Sequence, residues 1–431
     1  MVAFEALAVA TVLPVTVHEL GHVSLYGWVF SAFMLANLVG TVWAGRTADQ
    51  HGPGPALAVG LALFGVGLLA GGLAPSMVLL VAARVSQGAG AGVVAAVAYV
   101  VIGRAYPSAA RPRMFALLSS AWVVPGLIGP ALAGAVAQAA SWRLVFLALV
   151  PAVAIVGGLT LPAVRRLPRP AVPTADAPSL FDAGRLAAGA AMLIAGLDDR
   201  RAVVMIGLVV LGGIVGLPAL RRLLPAGTAR ARAGVPAAVL GRGLLTFGYF
   251  GTEAFLPLAL TTLRHQRPAT TGLVLTAATM MWTAASWVNA RRAAQWGPRK
   301  ATIIGLALVV VGVGGAGVSS LVGAVPVWIV PICWGLSGGG MGLAYQSGSL
   351  AVLDHAPPAA VGATTASLQL SDVLGTALGT GVGGAAVALT TAAHRGSGPG
   401  IAGIDALAFV LLLLALLVAR RLPGPHRPAV A

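Results

Sequence analysis

The sequence predicts an all-α membrane protein of fourteen transmembrane helices, arranged as two six-helix bundles with two further helices inserted between them. Three observations carry that expectation. Apolar stretches one bilayer long recur from end to end, arginine clusters keep to alternate loops, and one polar decapeptide is written twice.

Of the 431 residues, 58% are hydrophobic and 9% charged, with a mean hydropathy of +0.93. A soluble domain carries about a quarter charged residues. Runs of about 20 apolar residues match a hydrocarbon core of about 30 Å. Water is absent there, so spanning elements are helices or closed barrels, and these runs are too long and too continuously apolar for barrel strands. The first apolar segment leads straight into the next, without the pattern of a cleavable signal peptide.

The spans fall at 1–16, 26–45, 55–74, 77–103, 114–138, 144–163, 180–197, 202–220, 236–261, 270–289, 301–322, 326–352, 360–389 and 404–420. The charges test the count. Arg46, Arg104, Arg111, Arg113, Arg165, Arg166, Arg169, Arg185, Arg221, Arg222, Arg230, Arg232, Arg291, Arg292, Arg299, Lys300, Arg420, Arg421 and Arg427 fall on one face. Only Arg143, Arg200, Arg201, Arg264, Arg267 and Arg395 fall on the other, so nineteen basic residues face six. The rich face is expected to be cytoplasmic, with both termini, in an inner membrane. Merging 180–220 into one span would put the second polar decapeptide outside. Leaving both of its helices unspanning would keep the charges right and give twelve crossings.

The net charge of +16 comes as short clusters between apolar runs. Topology explains it, and no nucleic-acid partner is expected. Cys333 is the single cysteine, which excludes an internal disulfide. No metal site and no cofactor are expected.

The repeated decapeptides are "GRTADQHGPG" at 45–54 and "ARRAAQWGPR" at 290–299. Arg46 aligns with Arg291, Gln50 with Gln295, and Gly52-Pro53 with Gly297-Pro298. Each follows the second helix of its half. The expected domains are therefore a bundle at 1–163, a linker with the inserted pair at 164–235, and a bundle with a short tail at 236–431. Internal repeats of this kind mark secondary transporters, with the substrate site between the repeats near the bilayer midplane.

Several motifs in order add a family resemblance over nearly the whole chain. Gly45, Asp49 and Gly52 resemble a cytoplasmic signature, although Gly54 and Pro55 stand where it has basic residues. The second copy has Arg299 and Lys300 but Ala294 in place of the acid. "RVSQGAGAG" carries Arg84, Gln87 and Gly88 of an Arg-x-x-Gln-Gly motif. "PGLIGPALAG" carries Gly129-Pro130, with Gly126 and Gly134 beside it. "WRLVFLALVP" supplies Trp142, Arg143, Phe146 and Pro151. Together they resemble the major facilitator superfamily, in particular its fourteen-helix drug:proton antiporter branch. "FEALAVATVLP" is a partial match to that branch's first-helix motif: Glu5 takes its Asp position and Leu13-Pro14 fit, while Leu7 and Ala10 replace its Thr and Asn. Four residues precede Glu5, covering about 6 Å of helix, so either the natural chain starts upstream or the first helix is short.

The resemblance implies that Gly45, Asp49, Gly52, Arg299 and Lys300 switch the chain between states, with a latch cation from Arg104, Arg111 or Arg113. It links Gly129 and Pro130 to export. Proton coupling needs buried acids, because burial disfavours a charged carboxyl and a nearby arginine favours it. Glu5, Glu253 and Asp372, with Arg84 of the fourth helix, are the candidates. Asp405, near a helix end, is expected to be interfacial. Tyr249, Phe250, Trp282, Trp287, Trp334, Met341, Tyr345 and Gln346 are expected around an apolar, aromatic cavity suited to hydrophobic cations.

The expected function is proton-coupled export of hydrophobic or amphiphilic small molecules by alternating access. Its partners are a hydrophobic or cationic substrate, protons and the lipid bilayer, and the chain is expected to be monomeric. No P-loop is present to use ATP, and no nucleophile–base or metal-spaced cluster suggests an enzyme. The alternatives are a lipid or secondary-metabolite exporter, an uptake symporter for a polar nutrient, and a transport-dead sensor or scaffold.

Overall fold

A computed structural model describes residues 1–105, 114, 117, 121, 123–167, 179–198, 201–355 and 361–422, and among these described residues there are fourteen α-helices and two short 3-10 turns. In order they are α1 (Val2–Leu20), α2 (Tyr26–His51), α3 (Pro53–Gly72), α4 (Met77–Ala105), α5 (Val123–Ala139), α6 (Arg143–Leu147) and α7 (Leu149–Arg165). There follow α8 (Leu180–Asp198), α9 (Ala202–Leu223), α10 (Val235–Thr262), α11 (Pro268–Leu321), α12 (Ile329–His355), α13 (Val361–Ala392) and α14 (Gly398–Ala419). Every regular element among the described residues is helical. Eleven helical stretches there are long and apolar enough to cross a membrane. Some hydroxyls inside them bond back along their own helix, as Thr11 does to the Leu7 carbonyl and Thr246 to that of Arg242, so neither is left unsatisfied in an apolar setting.

Several helix ends differ from the sequence expectation, α14 beginning at Gly398 rather than at 404 among them, and two of the differences share one backbone feature. The "GRTADQHGPG" stretch is not a loop: α2 runs on to His51, and Gly52 alone separates it from α3. Likewise α11 is a single element through 270–322, broken only at Gly297. Gly52 has φ 85° and ψ 166°, and Gly297 has φ 65° and ψ 161°. That region is open essentially to glycine alone. A proline then starts the next helix in each case, Pro53 and Pro298, where its missing N–H costs nothing. The repetition is therefore a repeated reversal, glycine to turn the chain and proline to restart it. The helix ends at Gly52, Arg165, Arg222 and Gly297 belong to the face that the arginine pattern of the sequence expects to be cytoplasmic, called here the basic face.

The helices from the two ends of the chain close against each other at the opposite face. The Tyr26 hydroxyl donates to the Ala254 carbonyl at 3.0 Å. Ser31 bonds the Ala377 carbonyl and the Thr380 hydroxyl, both at 2.9 Å. Gly27 meets Gly384 so closely that a Cβ on either would collide with the other's backbone. Across the second seam, Gly272 of α11 lies on the Pro130 carbonyl of α5, and Gly126 lies on Thr279. Glycine permits such contact because no side chain holds the backbones apart.

The inserted hairpin α8–α9 is not peripheral. Ala183, Leu186, Ala190 and Ile194 of α8 join Leu35 and Leu38 of α2 and Leu370, Leu374 and Ala377 of α13 in one apolar cluster. Helix α8 therefore fills a groove shared by α2 and α13, while Ser367 of α13 donates to the Leu223 carbonyl at the end of α9.

The turn glycines yield a stability test. Gly52→Ala and Gly297→Ala are each expected to cost about 1–3 kcal/mol. Gly45→Ala, whose new Cβ meets nothing within 4 Å, is expected to be neutral or stabilising. Thermal midpoints of the three purified variants compare them.

Candidate functional site

Two polar networks lie inside the apolar helices. The first is built on Arg84, in the second turn of α4 and only 2% exposed. Its guanidinium forms an ion pair with Glu5 of α1 and donates to the Gln87 side chain one turn along. Its Nε donates to the Val29 carbonyl of α2 at 3.0 Å, and its Cζ stands 4.1 Å from the Phe33 ring centroid. Gln87 then donates to the Gly67 carbonyl of α3 at 2.9 Å. One arginine thus ties four helices. The second oxygen of Glu5 is buried and has no hydrogen-bond partner among the described residues.

The second network belongs to the later helices. Arg242 of α10 donates to the Tyr345 carbonyl of α12, and its Cζ lies 3.4 Å from the centroid of the Tyr345 ring. The Tyr345 hydroxyl donates to Asp372 of α13 at 2.5 Å. The other oxygen of Asp372 is buried without a hydrogen-bond partner among the described residues. Tyr99 of α4 lies within electrostatic range of both Asp372 and Arg242, which brings the earlier helices to this network.

An aromatic cluster adjoins the second network. Tyr249 stacks on Trp334 with centroids 4.9 Å apart and 18° between planes. Phe250 and Trp282 meet it edge-on at 5.2 and 5.8 Å. Trp282 reaches Tyr345 at 5.6 Å, so the cluster joins the Asp372 network through one ring. Such pairs contribute about 0.5–1.5 kcal/mol each beyond burial. Tyr249 and Trp334 are fully buried, while Phe250, Trp282 and Tyr345 keep part of their surface open. Glu253, one turn beyond Tyr249, is half-buried, with neither an ion pair nor a hydrogen bond among the described residues.

The expected residues do not all assemble. Glu5 with Arg84, and Asp372 with Tyr345, meet as two clusters, while Glu253 stands beside the rings. Gln346 is half-buried next to Tyr345. Trp287 points away, 62% exposed on the outer surface, and Met341 is packed in the core. Trp334 is walled in behind Tyr249 and supports that ring from the core side. Asp405 does not sit at a helix end: it lies two turns inside α14, its Oδ1 buried without a partner among the described residues, where a Cβ on Gly317 would lie 3.2 Å from its other oxygen.

Of the switch residues, Gly129 and Pro130 lie within α5, where Gly129 rests on the Phe4 ring of α1. Arg299 and Lys300 are exposed at the restart of α11. The Asp49 and Arg104 side chains, and all of Arg111 and Arg113, lie outside the described residues. Arg165 of α7, which sequence reasoning did not select, packs its side chain over Gly54 beside the first turn. Also missed was Glu19, which accepts from the Trp142 indole at 2.8 Å and pairs with Arg143. The Trp-Arg dipeptide thus clasps the end of α1, and no local pattern around Glu19 announces it.

Removing one partner of a buried pair strands the other charge. Arg84→Ala is expected to cost about 3–5 kcal/mol. The double variant Glu5→Leu/Arg84→Met should recover most of that loss, and Arg84→Lys should not, because lysine lacks the planar fork. Thermal midpoints of the set provide the check.

Residues 1–219 match the family model of the Major Facilitator Superfamily. A probable multidrug-efflux transporter of Mycobacterium tuberculosis H37Rv is 27% identical over 404 residues, spanning 88% of this chain and 83% of that protein. The efflux pump dotC of Dothistroma septosporum is 30% identical over 144 residues, 33% of this chain and 25% of its own. Among solved structures, a POT family transporter in complex with 5-aminolevulinic acid superposes with a TM-score of 0.68 at 15% identity, covering 97% of this chain and 94% of its own. The human organic anion transporter MFSD10 gives 0.63 at 17%, covering 95% and 96%. With half of its length matched by the family model and its whole helical architecture shared with solved members, the chain belongs to the Major Facilitator Superfamily and is a multi-pass membrane transporter.

Proposed function

We propose that the chain exports hydrophobic or amphiphilic small molecules, cations among them, in exchange for protons. The observation that carries this reading is Glu253: a carboxyl without a counter-ion among the described residues, one helical turn from a cluster whose Phe250, Trp282 and Tyr345 rings remain partly open. An ionisable group inside a membrane helix is costly and marks a pathway. Ionised, Glu253 attracts a cation that the rings hold by their faces. Protonated, it has no charge to offer. One carboxyl cannot hold proton and cation together, and that exclusion is the coupling. The similarity to a probable multidrug-efflux transporter supports the same direction of transport.

The remaining candidates take supporting parts. Glu5 and Arg84 form a second protonation point, whose neutralisation frees α1 from α4. Asp372 feeds the cavity through Tyr345. The seams opposite the basic face are closed here by Tyr26, Gly27 and Gly272, and release of cargo requires them to part. The turns at Gly45–Gly52 and Arg299–Lys300 then govern the basic face.

The two bundles that rock are 1–163 and 236–431, with 164–235 between them. Adding α5, α12 and the arm of α11 before Gly297 to the eleven qualifying stretches makes fourteen crossings. The arginine distribution supports an inner membrane with both termini cytoplasmic.

Everted vesicles with an acidified interior and a pH-sensitive dye test the proposal. Lipophilic cations should trigger proton release with the native protein, and Glu253→Gln should abolish it. Trp282→Ala should raise the half-saturating concentration about 3–10-fold, the value of one lost cation–π contact. Undiminished proton release by Glu253→Gln for every compound tested would sink the assignment.

A further inference from the structure

A crevice in the flank of the molecule, separate from the aromatic cluster, lies where the inserted helix α8 leans on α2, α3 and α4. We infer that it holds one anionic phospholipid, with an acyl chain in the crevice and the phosphate on Arg185. Its volume is about 610 Å³, within the range of built ligand sites. The walls are apolar, including Val39, Trp43, Leu63 and Val93, and Arg185 is the only charged residue among them. Val59 and Phe181, which also line it, are exposed at its mouth. An apolar slot open toward the bilayer takes a hydrocarbon chain, and a single cation at its rim selects the headgroup.

Two further observations bear on the occupant. Gly184 also lines the crevice, and a Cβ added there meets nothing within 4 Å. Glycine is a poor helix former, and no neighbour here demands its small size, so what it preserves is the empty volume. Arg185, the next residue, has the Phe181 ring 5.6 Å away and no acid paired with it among the described residues. The nearby acid, Asp182, is engaged by Arg222 of α9 at 3.4 Å. Arg185 lies in the second turn of α8, at the end nearest the basic face, within reach of the headgroup layer for a long cationic side chain. Because α8 also packs on α13, a bound lipid fastens the hairpin to the first helices at the seam where the bundles move.

Purified, delipidated full-length protein in detergent tests this without measuring transport. Phosphatidylglycerol, phosphatidylcholine and glycerol 3-phosphate are added separately, reading the thermal midpoint and the lipids retained in native mass spectra. Phosphatidylglycerol should raise the midpoint by several degrees, phosphatidylcholine by less, and glycerol 3-phosphate not at all. Arg185→Gln should bring phosphatidylglycerol down to the phosphatidylcholine level, while Arg185→Lys should keep the preference. Gly184→Trp, whose Cβ meets nothing within 4 Å, should fill the slot and remove one retained lipid. A phosphatidylglycerol preference unchanged in both Arg185→Gln and Gly184→Trp overturns the site. A midpoint rise with glycerol 3-phosphate equal to that with phosphatidylglycerol overturns the lipid and leaves an anion site.

Discussion

The buried guanidinium of Arg84 is the constraint around which the first helices are organised. A charge taken from water into an apolar interior is tolerated only when it is paired and its donors are satisfied. Glu5, Gln87, the Val29 carbonyl and the face of Phe33 together meet that demand. Each comes with its own helix or helical turn, so satisfying the charge fixes how α1, α2 and α4 stand to one another. The glycines after Arg84 follow from the same need. Gly88 and Gly92 rest on α2 backbone and Gly90 on α3, at separations that no larger residue permits. Neutralising Glu5 removes the strongest member of the set, which makes this network a natural place for a proton to alter helix packing.

The later helices meet the same problem with a different solution. Arg242 is held by a carbonyl and a ring of Tyr345, and Tyr345 in turn reaches Asp372. Since Tyr345 also belongs to the aromatic cluster, charge and rings are joined there, whereas Arg84 is sealed in the packing of α1 to α4. The two halves repeat a turn but not a site. In the reading proposed here, that asymmetry separates a structural charge on one side from a substrate-facing carboxyl, Glu253, on the other.

Much of this was legible in the chain. Apolar length located the eleven stretches long and apolar enough to cross a membrane among the described residues, because lipid forces backbone bonds to close within each segment. Glu5, Arg84 and the aromatic residues announced themselves as polar or bulky groups in apolar runs. Side-chain direction was not legible: Trp287 and Trp282 lie five residues apart on one helix, yet one faces outward and the other joins the cluster. Depth misled at Asp405, which the sequence places near a helix end and α11 covers. The partners of Arg143 and Arg242 were hidden for a different reason. They sit more than a hundred residues away in sequence, or are backbone carbonyls with no residue signature. Only the fold brings them together.

The central claim is that proton and cargo exclude each other at Glu253. Equilibrium binding of tetraphenylphosphonium to the detergent-purified protein, followed by tryptophan fluorescence from pH 5 to 9, tests it most directly. If the claim holds, affinity for the cation rises with pH in the native protein and is weak and independent of pH in Glu253→Gln. A variant that binds with the native affinity and the native pH dependence would contradict it.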